Sequence, residues 1–597
     1  MHGSIQASSN SAVRIRILDH TPGISLGYTG IHWVFKSQKA QGHQRNVAAM
    51  KGIAALVIVL APVLFIIQLG QRSLTSEEVR WGQVAREMRQ NGQYFHPTIN
   101  GQLYYDKPLA SYWLIVAVSY FTGGVDEFTA RFPSALAGFF SVLLILRLGQ
   151  RTSGLSHGVL AAAILATMFG FTIYSRRASA DLENLAGILA AVLLYFEMKE
   201  ATRMRWVLGL WLIMGVTSSM KGLLGFALPV LIIGVDCTWN AVVSRSPTQS
   251  LQKSWLVANR WLFNGWSLLA VPFGIGCFIA PYIISTLDSG SDEGLAMVFR
   301  ENLQRFISPH NHTGPVYLYL GVLLLLAAPW SLFLPAALIP QANLQPNSQT
   351  GAGHRMIIIA FCVTFFFFTA SASRRSYYLL PILPWTSLLV SRLLLANRDD
   401  LRPAAVRLRN VGGLLFVILF LLGVVALALP GPWRPVPFDK LPAVPGISIA
   451  IALGLVAVIA MLQQLWLPSI VLMVVTAYAA FAFAFFVLMP VAEEYRTRPD
   501  FVRDVLVQTQ QDWPHLALFH SRDIVYELNP PQSLADHTTS ERLASAISNG
   551  ATRWAIVRRR YLPLISFRYV IISEESVQPW EGIDQQGDKM MLIGLEK

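Results

Sequence analysis

The chain alternates long apolar runs with short polar segments from residue 52 to residue 489. Most of these runs approach the ~20 residues that a helix needs to cross a bilayer. They predict about 13 membrane spans, near 52–70, 128–147, 157–174, 182–197, 206–220, 222–236, 262–284, 315–339, 356–372, 377–396, 411–429, 446–465 and 468–489. The predicted fold class is an all-α polytopic membrane protein, and no internal repeat is apparent.

The pattern changes after Met489, where polar residues become frequent. One helix in this part is marked by Thr538 and Glu541 as a capping box and by Asn549-Gly550 as its end. Residues 491–597 are therefore predicted to form a small soluble α/β domain without a catalytic cluster. Its strand-like runs are 515–520, 524–528, 554–558, 569–573 and 589–595.

Composition supports a membrane protein and argues against a nucleic-acid-binding one. The 597-residue chain is 53% hydrophobic and 14% charged, whereas soluble chains are about 25% charged. The formal net charge is +13, but the basic residues flank apolar runs and form no stripe interleaved with aromatic residues. We therefore expect the protein to contact membrane lipids and not to bind nucleic acid. Three cysteines give no framework for disulfides.

The loops indicate an orientation in the membrane. Lys and Arg concentrate in alternate loops, starting with the segment before the first span, whereas the remaining loops mix both signs. This bias predicts a cytoplasmic N-terminus, and an odd number of spans places the C-terminal domain outside the cytoplasm. Residues 1–50 are rich in Ser, Gly and Gln, which predicts a disordered cytoplasmic tail; translation from Met50 is the alternative. Residues 51–490 then form the transmembrane domain.

The first outer loop, residues 71–127, is long and polar, as functional loops are. Its first half predicts an amphipathic helix along the membrane surface, because four residues form one apolar stripe and Asn91-Gly92 ends it. The stripe consists of Trp81, Val84, Ala85 and Met88. A second helix is expected from Pro108.

Two adjacent carboxylates begin this loop helix. Thr75 and Glu78 match a capping box, so Glu78 has a structural explanation. Glu77 has none, which makes it a candidate for chemistry. Asp106 and Lys107 precede Pro108, where they either cap a helix or let the lysine meet a lipid phosphate; local sequence leaves both open.

Other outer loops contain ionisable residues at membrane depth, where charges are costly and often functional. Headgroup anchoring explains any one of them, but convergence on a single anion explains better why cations recur in such short loops. His310 and His312 are weak metal candidates because their spacing is not that of helical ligands. The other residues concerned are Arg176, Arg177, Asp181, Lys221, Glu301, Arg305, Arg374 and Arg375.

These segments together resemble the bacterial polyprenyl-phosphate-sugar glycosyltransferases of the GT-C fold. That group includes the lipid A aminoarabinose transferases and the protein O-mannosyltransferase-like proteins. The resemblance runs from about residue 50 to residue 395 and rests on the order and spacing of the motifs. The motifs are EEVRW (77–81), NG (100–101), YDKP (105–108), SMKG (219–222), ENLQRF (301–306), PW (329–330), SR (373–374) and YLLP (378–381).

The resemblance implies roles for individual residues. The acceptor base of the family falls on Glu77, where the family has Asp, and Glu78 and Asp181 are further catalytic candidates. The residues implied to hold the lipid phosphate of the donor are Lys107, Arg305, Tyr378, Arg374 and Lys221. Some members bind a divalent metal, but the matching positions here are Asp106 and Asn302. No metal or other cofactor is therefore assigned, although a divalent ion is possible in this family.

The resulting functional prediction is transfer of a sugar from polyprenyl phosphate to an envelope acceptor at the outer face of the bacterial cytoplasmic membrane. Cations would stabilise the charge that builds on the phosphate leaving group, and a carboxylate would take the acceptor proton. The acceptor is a lipid A-like lipid, a protein or another envelope glycan. Two alternatives stay open: a transporter or flippase of lipid-linked saccharides, and a non-catalytic assembly scaffold.

Overall fold

The computed structural model describes residues 51–75, 77–199, 201, 204–243, 250–300, 315–341, 349–428, 466–578 and 581–595. Every predicted span within these residues contains helix, so the predicted all-α polytopic class is confirmed. The predicted tail 1–50 and the predicted span 446–465 lie outside the described residues. From Ala54 onward the described chain forms one compact unit.

The helices of the bundle differ in length. Seven of those in the described part are long and apolar enough to cross a membrane, and a pair bent by 114° makes an eighth. This is fewer than the predicted number, because several predicted spans are short helices of 10–17 residues. The bundle helices are Lys51–Ile66, Glu127–Ser153, Leu155–Ala166, Phe169–Tyr174, Asp181–Met198, Trp206–Lys221, Leu224–Val243, Leu251–Ala258, Gly265–Ser289, Glu293–Phe299, Leu318–Leu326, Leu334–Ala337, Gln349–Ala370, Ser376–Ile382, Leu383–Leu395, Pro403–Ala428, Trp466–Phe483 and Met489–Glu493.

The first loop folds as the stripe predicts. Its surface helix is Glu77–Asn91, and all four stripe residues are buried in it. A hairpin of β1 (Thr98–Ile99) and β2 (Gln102–Leu103) follows. The second helix is Leu109–Thr122, with Pro108 just before its first turn. The segment is therefore an ordered structure built against the end of the bundle.

The C-terminal domain contains one five-stranded mixed sheet. Its strands are β3 (Leu516–Phe519), β4 (Ala535–His537), β5 (Trp554–Arg558), β6 (Tyr569–Glu574) and β7 (Met590–Leu595). Their order in the sheet is β4-β3-β5-β7-β6; β3 is parallel to β4 and β5, whereas β7 is antiparallel to β5 and β6. Helices Arg498–Thr509 and Ser540–Ser548 accompany the sheet, and the predicted small α/β domain is confirmed.

Two predictions for this domain are wrong in detail. The run 524–528 is a short helix, Val525–Leu528, rather than a strand, because Asn529 takes a left-handed conformation that ends it after one turn. Periodicity does not distinguish so short an apolar run. The helix after it is capped by Thr539 and not by Thr538, since the Thr539 hydroxyl accepts from the Arg542 N–H.

The hairpin of the first loop docks on the C-terminal domain. Asn100 and Gly101 form its turn with φ angles of 56° and 71°, and the buried Glu87 carboxylate accepts from both backbone N–H groups at 2.6 and 3.1 Å. The Asn100 amide exchanges two hydrogen bonds with the backbone of Leu534, at 2.8 and 2.7 Å. The first loop and the C-terminal domain are therefore joined by hydrogen bonds between the Asn100 side chain and the Leu534 backbone.

Candidate functional site

Glu77 begins the surface helix and faces two arginines. Arg375 Nη1 donates to Glu77 Oε1 at 2.5 Å, and Arg80 Nη2 lies 3.8 Å from the same oxygen. Arg80 comes from the next turn of the same helix, whereas Arg375 comes from the segment before helix Ser376–Ile382. The Glu77 side chain remains 35% exposed, so a second molecule can reach it.

Two opposing effects set the protonation of Glu77. Burial raises its pKa. The hydrogen bond and charge of Arg375, with the charges of Arg80 and Arg177, lower the pKa by more than burial raises it. The net pKa is below the ordinary value of a glutamate, so the group is ionised at neutral pH. It is present as the carboxylate that a general base requires.

Glu78 is buried and fully engaged. Its two oxygens accept from five donors: two from Arg131, two from Thr75 and the backbone N–H of Ala178. The Arg131 contacts are 2.8 and 3.1 Å, which is the bidentate geometry that guanidinium groups favour. The Thr75 N–H donates to this carboxylate as the predicted capping box requires, whereas the Thr75 hydroxyl also donates to it and the Glu78 N–H binds the Thr75 carbonyl. Half of the predicted box is therefore present, and a structural role accounts for Glu78.

Asp106 and Lys107 lie next to each other beside Arg80. Lys107 Nζ is 3.1 Å from the Asp106 carboxylate, and Arg80 Nη1 is 4.0 Å from it. Arg80 also donates to the Tyr104 hydroxyl at 2.8 Å. Burial, together with the Asp106 charge, raises the pKa of Tyr104 to about 12, so it stays protonated. The pair is thus linked to Glu77 through one arginine.

Lys221 and Asp181 join the site from two neighbouring helices. Lys221 ends helix Trp206–Lys221, Asp181 begins helix Asp181–Met198, and their side chains form a direct ion pair. The Lys221 ammonium also lies 5.1 Å from the centre of the Tyr377 ring and 5.6 Å from that of Tyr378. These separations are those of cation–π contacts.

A continuous series of contacts connects these groups. Lys221 reaches Tyr377, whose hydroxyl accepts from Arg375 at 2.8 Å, and Arg375 in turn binds Glu77. We call the connected set the carboxylate–cation network. It brings together the predicted residues Glu77, Asp106, Lys107, Asp181, Lys221 and Tyr378.

Other predicted residues lie elsewhere or outside the described part. Arg374 donates to the Thr369 carbonyl at 3.1 Å, so the arginine that reaches Glu77 is its neighbour in sequence. Arg305, His310 and His312 fall outside the described residues. Within the described ranges no three His, Cys, Asp or Glu side chains lie close enough together to hold a metal ion.

Three members of the network carried no assigned role in the sequence analysis. Arg80 lies inside the EEVRW motif, and its i+3 spacing from Glu77 on a helix is the signal that points to it. Arg375 has no such signal, because Arg374 and Arg375 are adjacent and identical in type. Tyr377 likewise stands beside Tyr378, and only coordinates separate the two.

A large cavity adjoins the network on the side of the C-terminal domain. It has a volume of about 930 Å³, and Arg80 and Tyr104 form part of its wall. The side chains of Glu77, Lys107 and Lys221 do not line it. Its other wall contains the cations Arg496, Arg498, Arg522, Arg558 and Lys589 and the carboxylates Asp523, Glu527, Asp536, Glu575, Glu581 and Asp588.

The chain is similar in sequence to known glycosyltransferases. Residues 75–284 match the PMT family, dolichyl-phosphate-mannose-protein mannosyltransferase. The chain is 27% identical over 400 residues to undecaprenyl phosphate-alpha-4-amino-4-deoxy-L-arabinose arabinosyl transferase 1 of Pseudomonas fluorescens, covering 64% of this chain and 67% of that protein. A Pseudomonas aeruginosa transferase of the same name is 27% identical over 392 residues, covering 63% of this chain and 65% of that protein.

A solved structure has the same fold over nearly the whole chain. ArnT from Cupriavidus metallidurans, in a crystal structure bound to undecaprenyl phosphate, superposes with a TM-score of 0.69 at 18% identity. The superposition covers 91% of this chain and 98% of that one. The two proteins therefore share this helical bundle. The chain is a membrane glycosyltransferase that uses a polyprenyl-phosphate-linked sugar; its residues 75–284 are similar to the PMT family, and it is related to the undecaprenyl-phosphate aminoarabinose transferases.

Proposed function

We propose that this enzyme transfers a sugar from a polyprenyl-phosphate carrier to an envelope acceptor, with the carboxylate–cation network as its reaction centre. The observation that carries the proposal is the series of contacts joining Glu77 to Lys107 and Lys221. It places one ionised, partly exposed carboxylate among several cations at the end of a membrane-embedded bundle. Both kinds of group are needed when a sugar leaves a phosphate and a nucleophile loses a proton.

The cations are assigned to the donor. As the bond between the sugar and the phosphate breaks, negative charge builds on the phosphate oxygens, and Lys107 and Lys221 stabilise it together with the Tyr378 hydroxyl. Their present partners, Asp106 and Asp181, hold the lysines in place before the donor binds. Arg305 belongs to the same group by its motif.

Glu77 is assigned to the acceptor. Its carboxylate takes the proton of the attacking group, while Arg375 and Arg80 hold it in position and keep it ionised. The cavity of about 930 Å³ beside Arg80 gives a polar headgroup access from the C-terminal domain. Attack from the side opposite the phosphate inverts the configuration at the sugar carbon.

The names of the relatives favour a particular donor. The two Pseudomonas relatives carry undecaprenyl phosphate and 4-amino-4-deoxy-L-arabinose in their names, so this lipid-linked pentose is the first donor to assay. We place the enzyme in the bacterial cytoplasmic membrane, with the network at the extracytoplasmic face. Arg147 and Arg151 near the end of helix Glu127–Ser153 support this orientation, since Lys and Arg are more frequent at the cytoplasmic ends of membrane helices.

The test is a transfer assay with the purified enzyme in detergent. Undecaprenyl-phosphate-linked 4-amino-4-deoxy-L-arabinose serves as donor, a lipid A extract as acceptor, and mass spectrometry measures the product. We expect Glu77→Gln to lower the rate by about 100- to 10,000-fold, since it removes the base. Lys107→Ala is expected to lower it by about 100- to 1000-fold, since it removes one donor to the leaving phosphate.

A matched control tests whether removing a lysine outside the network also lowers the rate. Lys253→Ala removes an exposed lysine near the start of helix Leu251–Ala258, and its transfer rate should equal that of the unaltered enzyme. Unchanged transfer in both Glu77→Gln and Lys107→Ala would refute the proposed reaction centre. Transfer of mannose instead of the pentose would keep the reaction centre and reassign the donor.

A further inference from the structure

A second cavity lies at the same end of the bundle, separate from the reaction centre. Its volume is about 210 Å³, and four arginines line it: Arg72, Arg131, Arg176 and Arg177. Glu78 is the one carboxylate among its lining residues. We call it the arginine cavity. Such an excess of cations needs an explanation, because unpaired charges at membrane depth are costly.

Two of the arginines are already used by the fold. Arg131 binds Glu78 and donates to three backbone carbonyls of residues 69–73. Arg176 donates to the carbonyls of Leu64, Ile67 and Gln68 and lies over the Phe485 ring. These contacts fix the cavity wall and leave little capacity to bind anything else.

The other two arginines have capacity to spare. Arg72 Nε is 3.6 Å from the Glu493 carboxylate, and within the described part of the chain it has no hydrogen-bond partner. The Arg177 guanidinium lies 5.7 Å from the centre of the Tyr174 ring. No carboxylate in the described ranges lies within salt-bridge distance of Arg177. Glu493 and Glu78 thus pair with Arg72 and Arg131, whereas Arg176 and Arg177 have no carboxylate within salt-bridge distance in the described residues. The cavity therefore keeps an excess of about two positive charges.

The backbone around the cavity is also unusual. The last membrane helix changes from α to π geometry at Ala484–Leu488, which includes Phe485 in the wall. On the opposite side Gln68 has a φ of 56°, and its amide oxygen is buried without a partner in the described residues. π-helical turns and left-handed non-glycine residues both concentrate at functional sites.

The position of the cavity indicates the source of its ligand. It is lined by the turn that follows the first helix and by Met489 and Pro490, which begin the short helix Met489–Glu493. At both places an apolar run gives way to polar residues, which is the pattern expected where a bilayer changes from acyl chains to headgroups. Basic pockets between membrane helices at this depth bind anionic lipid headgroups.

The guanidinium groups that line the arginine cavity favour phosphate as its ligand. Guanidinium groups bind phosphate oxygens through paired charge-assisted hydrogen bonds. The volume of 210 Å³ corresponds to roughly seven water molecules at about 30 Å³ each, which accommodates a phosphate group and its ester atoms. We propose that the arginine cavity binds the phosphate group of a membrane lipid, at a site distinct from the one that holds the sugar donor.

Lipid binding is measured on the full-length enzyme without any sugar donor, so the result does not depend on the proposed function. Purified protein is titrated with phosphatidylglycerol in detergent and the complexes are counted by native mass spectrometry. We expect the double variant Arg72→Gln, Arg177→Gln to bind this lipid at least about tenfold more weakly, since both side chains lose the charge that strengthens their hydrogen bonds to phosphate. Arg147→Gln is the matched control, because it removes an arginine that pairs with Glu197 outside the cavity.

A competition arm distinguishes the source of the phosphate. Displacement of phosphatidylglycerol by millimolar inorganic phosphate shows that the phosphate group alone is recognised, and resistance to it shows that the lipid is. Unchanged lipid binding in the double variant, or an equal loss in Arg147→Gln, would overturn the proposal.

A second measurement keeps the test valid if the double variant fails to fold. Phosphatidylglycerol carrying a photoreactive acyl chain is crosslinked to the unaltered enzyme. The crosslinks should map to residues around Phe485 and Met489. Crosslinks spread evenly over the helices would also overturn the proposal.

Discussion

At the scale of single residues, Arg375 determines the protonation of Glu77. With Arg375→Gln, burial dominates and the pKa of Glu77 rises, because the main lowering contact is lost. A base works only when it is unprotonated, so transfer is then lost at a higher pH as the solution is acidified. We expect the acidic limb of the kcat/KM profile to move up by about one pH unit or more. Transfer rates measured from pH 4 to pH 8 check this.

The neighbouring arginine provides the control for that prediction. Arg374 donates to the Thr369 carbonyl, so Arg374→Gln should leave the acidic limb where it is. Coincident profiles for the two variants would show that Arg375 does not act through Glu77.

The two adjacent glutamates are expected to respond differently to the same substitution. Glu78→Gln leaves the buried Arg131 without its counter-charge, and breaking a buried pair in this way costs about 3–5 kcal/mol. Glu77→Gln removes a partly exposed pair, which contributes about 0–1 kcal/mol. Thermal unfolding in detergent, followed by tryptophan fluorescence, should show a large loss of stability for Glu78→Gln only. Equal midpoints would contradict the structural role of Glu78.

The sequence separates some residues and not others. It distinguishes Glu77 from Glu78, because Thr75 stands three residues before Glu78 and donates to its carboxylate from both the backbone N–H and the hydroxyl. It does not distinguish Arg374 from Arg375. Which of two identical neighbours turns towards a distant carboxylate depends on how the helices pack, and no local pattern records that.

At the scale of elements, the first loop offers a matched pair of glycines, one just after its surface helix and one in its hairpin turn. Gly92 and Gly101 both have positive φ, at 67° and 71°. A Cβ at Gly92 meets nothing, whereas one at Gly101 lies 2.6 Å from Ser533 Oγ. Gly92→Ala should cost only the left-handed backbone energy of about 1–2 kcal/mol, and Gly101→Ala should cost more. Thermal unfolding of both variants measures the difference, and equal losses would mean that the hairpin does not dock.

The elements differ in how far the sequence predicts them. The surface helix was predictable from its stripe, since Trp81, Val84, Ala85 and Met88 are buried together. Strand β4 at Ala535–His537 was not, because three residues on a parallel edge give no periodicity. Helix Asp181–Met198 has a span-like length but carries three carboxylates, and charges of this kind are features of a site rather than of a simple span.

At the scale of the whole molecule, the C-terminal domain holds the first loop that contains Glu77. Asn100 and Leu534 are 434 positions apart and share two hydrogen bonds, and Arg86 donates to the Tyr526 carbonyl at 2.7 Å. No sequence pattern predicts contacts between such distant segments. The sequence therefore indicates no functional role for the domain. Its placement indicates that it positions the reaction centre.

A disulfide between the two parts tests whether they stay docked during turnover. A Cβ built at Gly101 lies 3.4 Å from Ser533 Cβ, close to the separation of about 3.5–4.5 Å in disulfides. Gly101→Cys with Ser533→Cys should therefore crosslink on mild oxidation, which a gel-mobility shift detects. We expect the oxidised enzyme to keep its transfer rate, because the cavity beside Arg80 is open in the docked state. Gly92→Cys with Ser533→Cys should not crosslink, and a rate lost on oxidation but restored by reductant would show that the domain must move.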